Sequence, residues 1–279
     1  MKFDSNRAWS EATASASANR EVLLAVAGVF FLLPGLASVL FLSDFQADMM
    51  ANFGNPAAAE RIMAGMTGPV VGFGLISFVL QATGYLAMLA LLTDRTRPTV
   101  GEAIGSAARA LPSVIGAALL FLVGYMLAMG IFAMLAAALG AVTGLGALAA
   151  ISVLLLIASV VYTMVKLSLI LPVIVIDNVH NPMAALVRSW RLTKGNSMRL
   201  LLFYLLLGIA YLVIVMVIGM VSMALVALIA GQGKVSLLIG GLVSGIIGAA
   251  ASALFAAILA AIHRQLAGPS PEAIGATFD

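Results

Sequence analysis

Apolar residues run almost without interruption through six long stretches of the chain, at 22–42, 69–92, 113–139, 146–171, 200–229 and 235–262. A helix rises about 1.5 Å per residue, so each stretch is long enough to cross a hydrocarbon core of ~30 Å. Backbone N–H and C=O groups in lipid must pair within their own segment, which makes helix the predicted state of all six. The expected fold is therefore all-α, a polytopic membrane protein with six transmembrane helices. Pro34, inside the first run, and Pro172, just past the end of the fourth, predict kinks or helix ends, since proline lacks an N–H and crowds the carbonyl one turn back.

The polar connections carry a second pattern. After the second run comes Asp94-Arg95-Thr96-Arg97-Pro98 and then the segment 99–111; after the fourth comes Asp177-Asn178-Val179-His180-Asn181-Pro182 and then 183–196. Each reads as a tight turn, a proline near a helix start, a short amphipathic helix and a new span. In the first, Val100, Ile104, Ala107 and Leu111 share a face opposite Glu102 and Arg109. In the second, Met183, Leu186, Val187 and Trp190 form the stripe and Arg188 and Arg191 turn away from it. Helices of this kind lie along a membrane surface. The N-terminal segment, with Arg7, Trp9, Asn19 and Arg20, is a third and weaker copy. The repeat would then be an interfacial helix followed by an outgoing and a returning span, in parallel orientation.

Composition agrees with lipid as the solvent. Hydrophobic residues make up 63% of the chain and charged residues 9%, against about 25% charged residues in a soluble domain. The placement of charge says more than the net +3. Lys2, Arg7, Arg20, Arg95, Arg97, Arg109, Arg188, Arg191, Lys194, Arg199 and Arg264 belong to the N-terminal segment, the second and fourth connections and the tail. The other connections hold Arg61 and Lys234. Basic residues are retained on the cytoplasmic side, so both termini are expected there, with 43–68 on the far side carrying Asp44, Asp48, Glu60 and a short helix. A cleaved signal peptide competes for the N-terminus. Its long leader, with Asp4, Glu11 and Glu21, and the full spanning length of the first run argue against it. The expected organisation is a cytoplasmic amphipathic segment 1–21, a six-helix membrane domain 22–262 and a cytoplasmic tail 263–279.

One stretch resembles a known signature. Leu171-Pro172 leading to Asp177, then Asn181-Pro182 to Leu186, then Arg188-Ser189-Trp190-Arg191-Leu192-Thr193-Lys194-Gly195-Asn196 resembles the glycerophosphoryl diester phosphodiesterase membrane-domain family over residues 162–200. The resemblance implies a bacterial inner-membrane protein of about six spans. The phosphodiesterase activity in that family's name belongs to a separate catalytic barrel fused to some members. Such a barrel needs paired carboxylates, catalytic histidines and a divalent metal. No stretch of this chain is left over for it, so a non-enzymatic protein with no catalytic residues, metal or cofactor is expected.

On physical grounds, Arg188, Arg191 and Lys194 beside Trp190 could place cations on lipid phosphates and an indole at headgroup level, each cation near the surface contributing ~1 kcal/mol. The plainer alternative is that they anchor a hairpin. Gly195-Asn196 reads as a helix stop before Arg199. Lys166 is the one basic residue well inside an apolar run. It either faces a cavity or partner, as intramembrane ions do, or snorkels to the interface. Lys166, Arg188, Trp190, Arg191, Lys194, Asn196 and Arg199 are thus the candidate contacts to anionic headgroups or a partner. Gly241, Gly245, Gly248 and Ser252 form a small-residue groove for close helix approach, within the chain or against a second copy.

Other chemistries lack their residues. There is no cysteine, no phosphate-cradling loop, no zinc-binding helix and no nucleophile elbow. His180 and His263 read as interfacial residues, and basic groups split into short clusters fit membrane lipid better than nucleic acid. The expected role is an organising, scaffolding or accessory subunit that contacts anionic lipid or a membrane-protein partner. A permease for an apolar or lipid-like substrate is the alternative.

Overall fold

A computed structural model describes residues 2–93, 98–143, 146–230 and 233–268. Arg95 and Arg97, and the tail beyond residue 268, lie outside the described residues. The described residues form ten α-helices in order: α1 Ser5–Ala18, α2 Arg20–Ala27, α3 Leu33–Ala51, α4 Pro56–Leu91, α5 Val100–Thr143, α6 Gly146–Leu167, α7 Ile170–Val175, α8 Pro182–Leu192, α9 Ser197–Ala230 and α10 Lys234–Ala267. The described residues contain no strand. Among the described residues six helical stretches are long and apolar enough to cross a membrane.

Two of the expected connections are themselves helical. The 43–68 segment is built from the continuations of α3 and α4, which meet at a turn of residues 52–55. Gly54 takes φ +91°, open to glycine without steric cost. Asn55 then caps α4, its side chain accepting from Ala58 N at 3.2 Å. Polarity ended the apolar runs here, but not the helices. Likewise 99–111 is not a separate interfacial helix; it forms the first turns of the 44-residue α5, which continues through Pro112. The buried stripe there is Ala103, Ala107 and Ala110, while Val100 is exposed. The predicted separate helices do occur at α8 and at α1.

Both prolines act on their helices as proline must. Ahead of Pro34 the chain widens into a π-helical turn at Gly28–Leu32, where Leu33 N–H donates to the Gly28 carbonyl five residues back. A π-turn of this kind accommodates the hydrogen bond that Pro34 cannot make. Ahead of Pro172 the helix stops: α6 ends at Leu167 and α7 restarts at Ile170.

The chain divides into two compact units. In the unit of Ala12–Ala108 and Leu206–Ala257, α2, the π-turn and α3 pack on α4. Gly84 admits Phe30 and Phe31, since a Cβ there would lie 2.5 Å from Phe30 Cβ. Tyr85 meets Phe31 edge-on at 4.7 Å and Phe255 at 6.4 Å. The small-residue stripe of α10 belongs to this unit and packs within the chain. A Cβ on Gly241 would meet Val39 at 3.0 Å and one on Gly245 would meet Leu32 at 2.5 Å, so both glycines seat the first span. Gly248 has nothing within 4 Å, and Ser252 hydrogen-bonds Tyr85.

Candidate functional site

The second unit comprises Met1–Glu11, Arg109–Leu205 and Ile258–Asp279, and it holds all seven candidate contact residues. Its geometry starts at the break before Pro172. The Lys166 carbonyl lies in the core one residue before α6 ends, where helix carbonyls draw on donors from outside the helix. Ser189 Oγ donates to it at 2.9 Å. Thr193 Oγ1, at 3.3 Å, shares its proton between this carbonyl and those of its own helix. Ser189 and Thr193 are fully buried. The inner face of α8 is therefore a small, polar stripe of Ala185, Ser189 and Thr193, and the apolar Met183, Val187 and Trp190 look outward. The apolar stripe read from the sequence is real as a pattern but faces away from the protein.

The Lys166 side chain does not snorkel. It is 3% exposed, and its Nζ lies 5.5 Å from the Tyr162 ring centroid and 5.4 Å from that of Trp190. The two rings meet edge-to-face at 5.8 Å. Among the described residues no carboxylate pairs with this ammonium; aromatic faces supply its counterpart. Trp190, 40% exposed, is thereby fixed at the outer edge of α8.

Two of the other candidates are engaged by the N-terminal segment. Asn196 Oδ1 accepts from Phe3 N at 2.8 Å, and Arg199 Nη1 donates to Phe3 O at 3.4 Å. The Phe3 ring is buried edge-on against Phe203, 5.5 Å between centroids. Sequence reading missed Phe3, whose one visible signal is a lone aromatic between Lys2 and Asp4. Arg188 is also taken. Its Nε donates to Asp177 Oδ2 at 2.6 Å, and the same oxygen accepts from His263 Nε2 at 3.0 Å. Burial alone would push the Asp177 carboxyl up, but the bonds from His263 and Arg188 outweigh it and hold it below the usual carboxylate range. His180 Nδ1 faces the Asn178 carbonyl at 3.0 Å. Among the described residues no three His, Asp or Glu side chains gather as metal ligands would.

Arg191 and Lys194 remain. Both are exposed and neither makes an ion pair among the described residues. Arg191 and Trp190 also line a groove of about 610 Å³ between α5, α6 and α8, whose walls include Leu120, Phe121, Val160 and Leu167. The start of α8 is fixed beside it. Ser113 Oγ donates to His180 O at 2.5 Å, and Gly116 leaves room for Pro182, whose Cγ would sit 2.7 Å from any Cβ there.

Helices of this length and apolarity, with polar groups satisfied across helix breaks, define a multi-pass all-α membrane protein. The chain belongs to the family described as "Domain of unknown function (DUF7847)", whose family model matches residues 7–266. No curated protein and no solved structure matches it. These matches give no support to the glycerophosphoryl diester phosphodiesterase membrane-domain resemblance of residues 162–200.

Proposed function

We propose that the protein is a non-enzymatic component of the bacterial inner membrane, with both termini cytoplasmic, that serves as an organising, scaffolding or accessory subunit by holding anionic lipid headgroups at its cytoplasmic face. The observation that carries this reading is the outer surface of α8 and the turn after it. There Arg191 and Lys194, two cations that make no ion pair among the described residues, stand beside an exposed indole and the exposed apolar Met183 and Val187. Apolar groups facing hydrocarbon, an indole at the boundary and cations toward phosphate is the order of an interfacial helix. The distribution of Lys and Arg along the chain supports the orientation.

The test is to replace Arg191 and Lys194 together by Gln and measure the anionic phospholipid that co-purifies from the native membrane. Arg188 is left intact because it holds Asp177. A fall in anionic lipid at constant total lipid is expected, and an unchanged lipid profile would sink the reading. A permease for a lipid-like substrate is the second reading, favoured by the groove. From Leu120 to Ala128 the groove follows only about 12 Å of helix, well short of a ~30 Å hydrocarbon core, and so supports lodging a chain better than passing one.

A further inference from the structure

The geometry points to the groove between α5, α6 and α8 as a binding site for one anionic phospholipid of the surrounding bilayer, a chain lying in the groove and the phosphate on Arg191. The inference rests on the reading of α8 as an anionic-lipid contact and adds to it a defined place for a single molecule.

Three observations converge on this occupant. The volume of about 610 Å³ falls within the range of sites that enclose small ligands. The walls are apolar where a chain would lie, through Leu120, Phe121, Val160, Leu167, Leu186 and Val187. Two of the three hydroxyls among them are engaged within their own helix, Ser159 donating to the Leu156 carbonyl at 2.7 Å and Thr163 to the Ser159 carbonyl at 2.8 Å, and Tyr125 brings the third. Such an interior suits hydrocarbon and would not hold a sugar or an ion.

Charge then selects the headgroup. Among the described residues Arg191 is the one charged side chain lining the groove and has no carboxylate partner, and its planar guanidinium suits phosphate oxygens. It sits on α8, at the end where the interfacial helix closes the groove. Trp190 forms the adjoining rim, its ring held by the Tyr162 edge and by the Lys166 ammonium. Lys166 and Tyr162 do not line the groove, so Lys166 is a positioning residue for the indole. An indole fixed at the boundary between chain and headgroup matches the level it favours in bilayers.

The chain has two tryptophans, so Trp9→Phe leaves Trp190 as the sole indole reporter. Reconstitute that protein in phosphatidylcholine vesicles containing a minor fraction of phosphatidylglycerol with brominated chains, and in parallel with brominated phosphatidylcholine. Bromine at the rim quenches Trp190 fluorescence. The anionic lipid should quench at about fivefold lower mole fraction, the preference one interfacial cation provides, and quenching should saturate at one lipid per chain.

Filling the groove should abolish the preference. Gly124 lines it with nothing within 4 Å of a built Cβ, so Gly124→Leu enters open space; Ser159→Leu is a second filling variant from the facing helix. Equal quenching by the two lipids in the unfilled protein overturns the proposal without recourse to any filling variant. Preference that survives both fillings but is lost in the Arg191→Gln, Lys194→Gln variant also overturns it and leaves the surface contact standing. Loss of co-purified anionic lipid in that double variant, together with equal quenching, has the same meaning. Equal quenching with an unchanged lipid profile removes both readings.

Discussion

The segments at 98–113 and 182–196 begin alike and end differently. Each opens with a proline and a capped first turn: Thr99 and Glu102 exchange bonds reciprocally in one, and Asn181 accepts from Ala184 N in the other. Both carry apolar residues at helical spacing with arginines to the side. Yet the first flows without a break into the span of α5, while the second stops and lies apart as α8. The difference is in how each closes. Gly195, at φ +80°, turns the chain into the left-handed region that ends a helix, whereas Pro112 at the equivalent place can bend a helix but supplies no such stop. Their buried faces differ too. Ala103, Ala107 and Ala110 offer only surface, but Ser189 and Thr193 offer hydroxyls to the Lys166 carbonyl near the end of α6. An amphipathic pattern therefore specifies a helix, and the stop signal together with the buried face specifies whether it lies apart from its span.

The largest test of this contrast removes the hydroxyls. Ser189→Ala with Thr193→Val removes both side-chain donors to the buried Lys166 carbonyl, and thermal unfolding in detergent should show a loss of roughly 2 kcal/mol. A loss under a few tenths would mean that the break at Pro172 needs no help from α8. Next, Gly116→Ala drives a Cβ to within 2.7 Å of the Pro182 ring and is expected to cost about 2 kcal/mol. In the first segment Gly105→Ala meets nothing within 4 Å and should stabilise by about 0.5–1 kcal/mol through helix propensity. Equal effects at the two glycines in the same unfolding assay would erase the distinction. Gly195→Ala places a Cβ in the left-handed region and should cost about 1.5 kcal/mol, with faster hydrogen exchange at the α8–α9 junction as its local signature.

The smallest effect is a pH dependence. The Asp177 carboxyl is held below its usual range, so the stability it contributes is full above the ordinary carboxylate pKa of ~3.9 and is lost as pH falls through its own lower value. Asp177→Asn should remove its share of that acid-side loss and flatten the acid limb of the stability curve. An unaltered acid limb in unfolding curves would show that other carboxylates set it.

Much of the fold was legible because apolar runs in a charge-poor chain have few other solutions, and Pro34 and Pro172 marked where two of the helices change course. Helix length was less legible, since α3, α4 and α5 extend past their apolar runs into polar sequence that the same helix tolerates in water. For the candidate site, the sequence singled out the residues but not their partners. Lys166 left two alternatives open until Trp190 and Tyr162 were brought against it. Asn196, Arg199 and Asp177 find theirs 193, 196 and 86 positions away, and no local pattern encodes a distance of that kind.

The docking of Phe3 also imposes an order on biogenesis. Its receptor, Asn196 and Phe203, is translated some 190 residues later, about 10–40 s at ordinary elongation rates. For that interval the leading residues have nowhere to settle, and this unit can close only after most of the nascent chain has left the ribosome. An N-terminal fusion bulky enough to hold Phe3 away would therefore leave the membrane helices inserted but the junction after α8 unlatched.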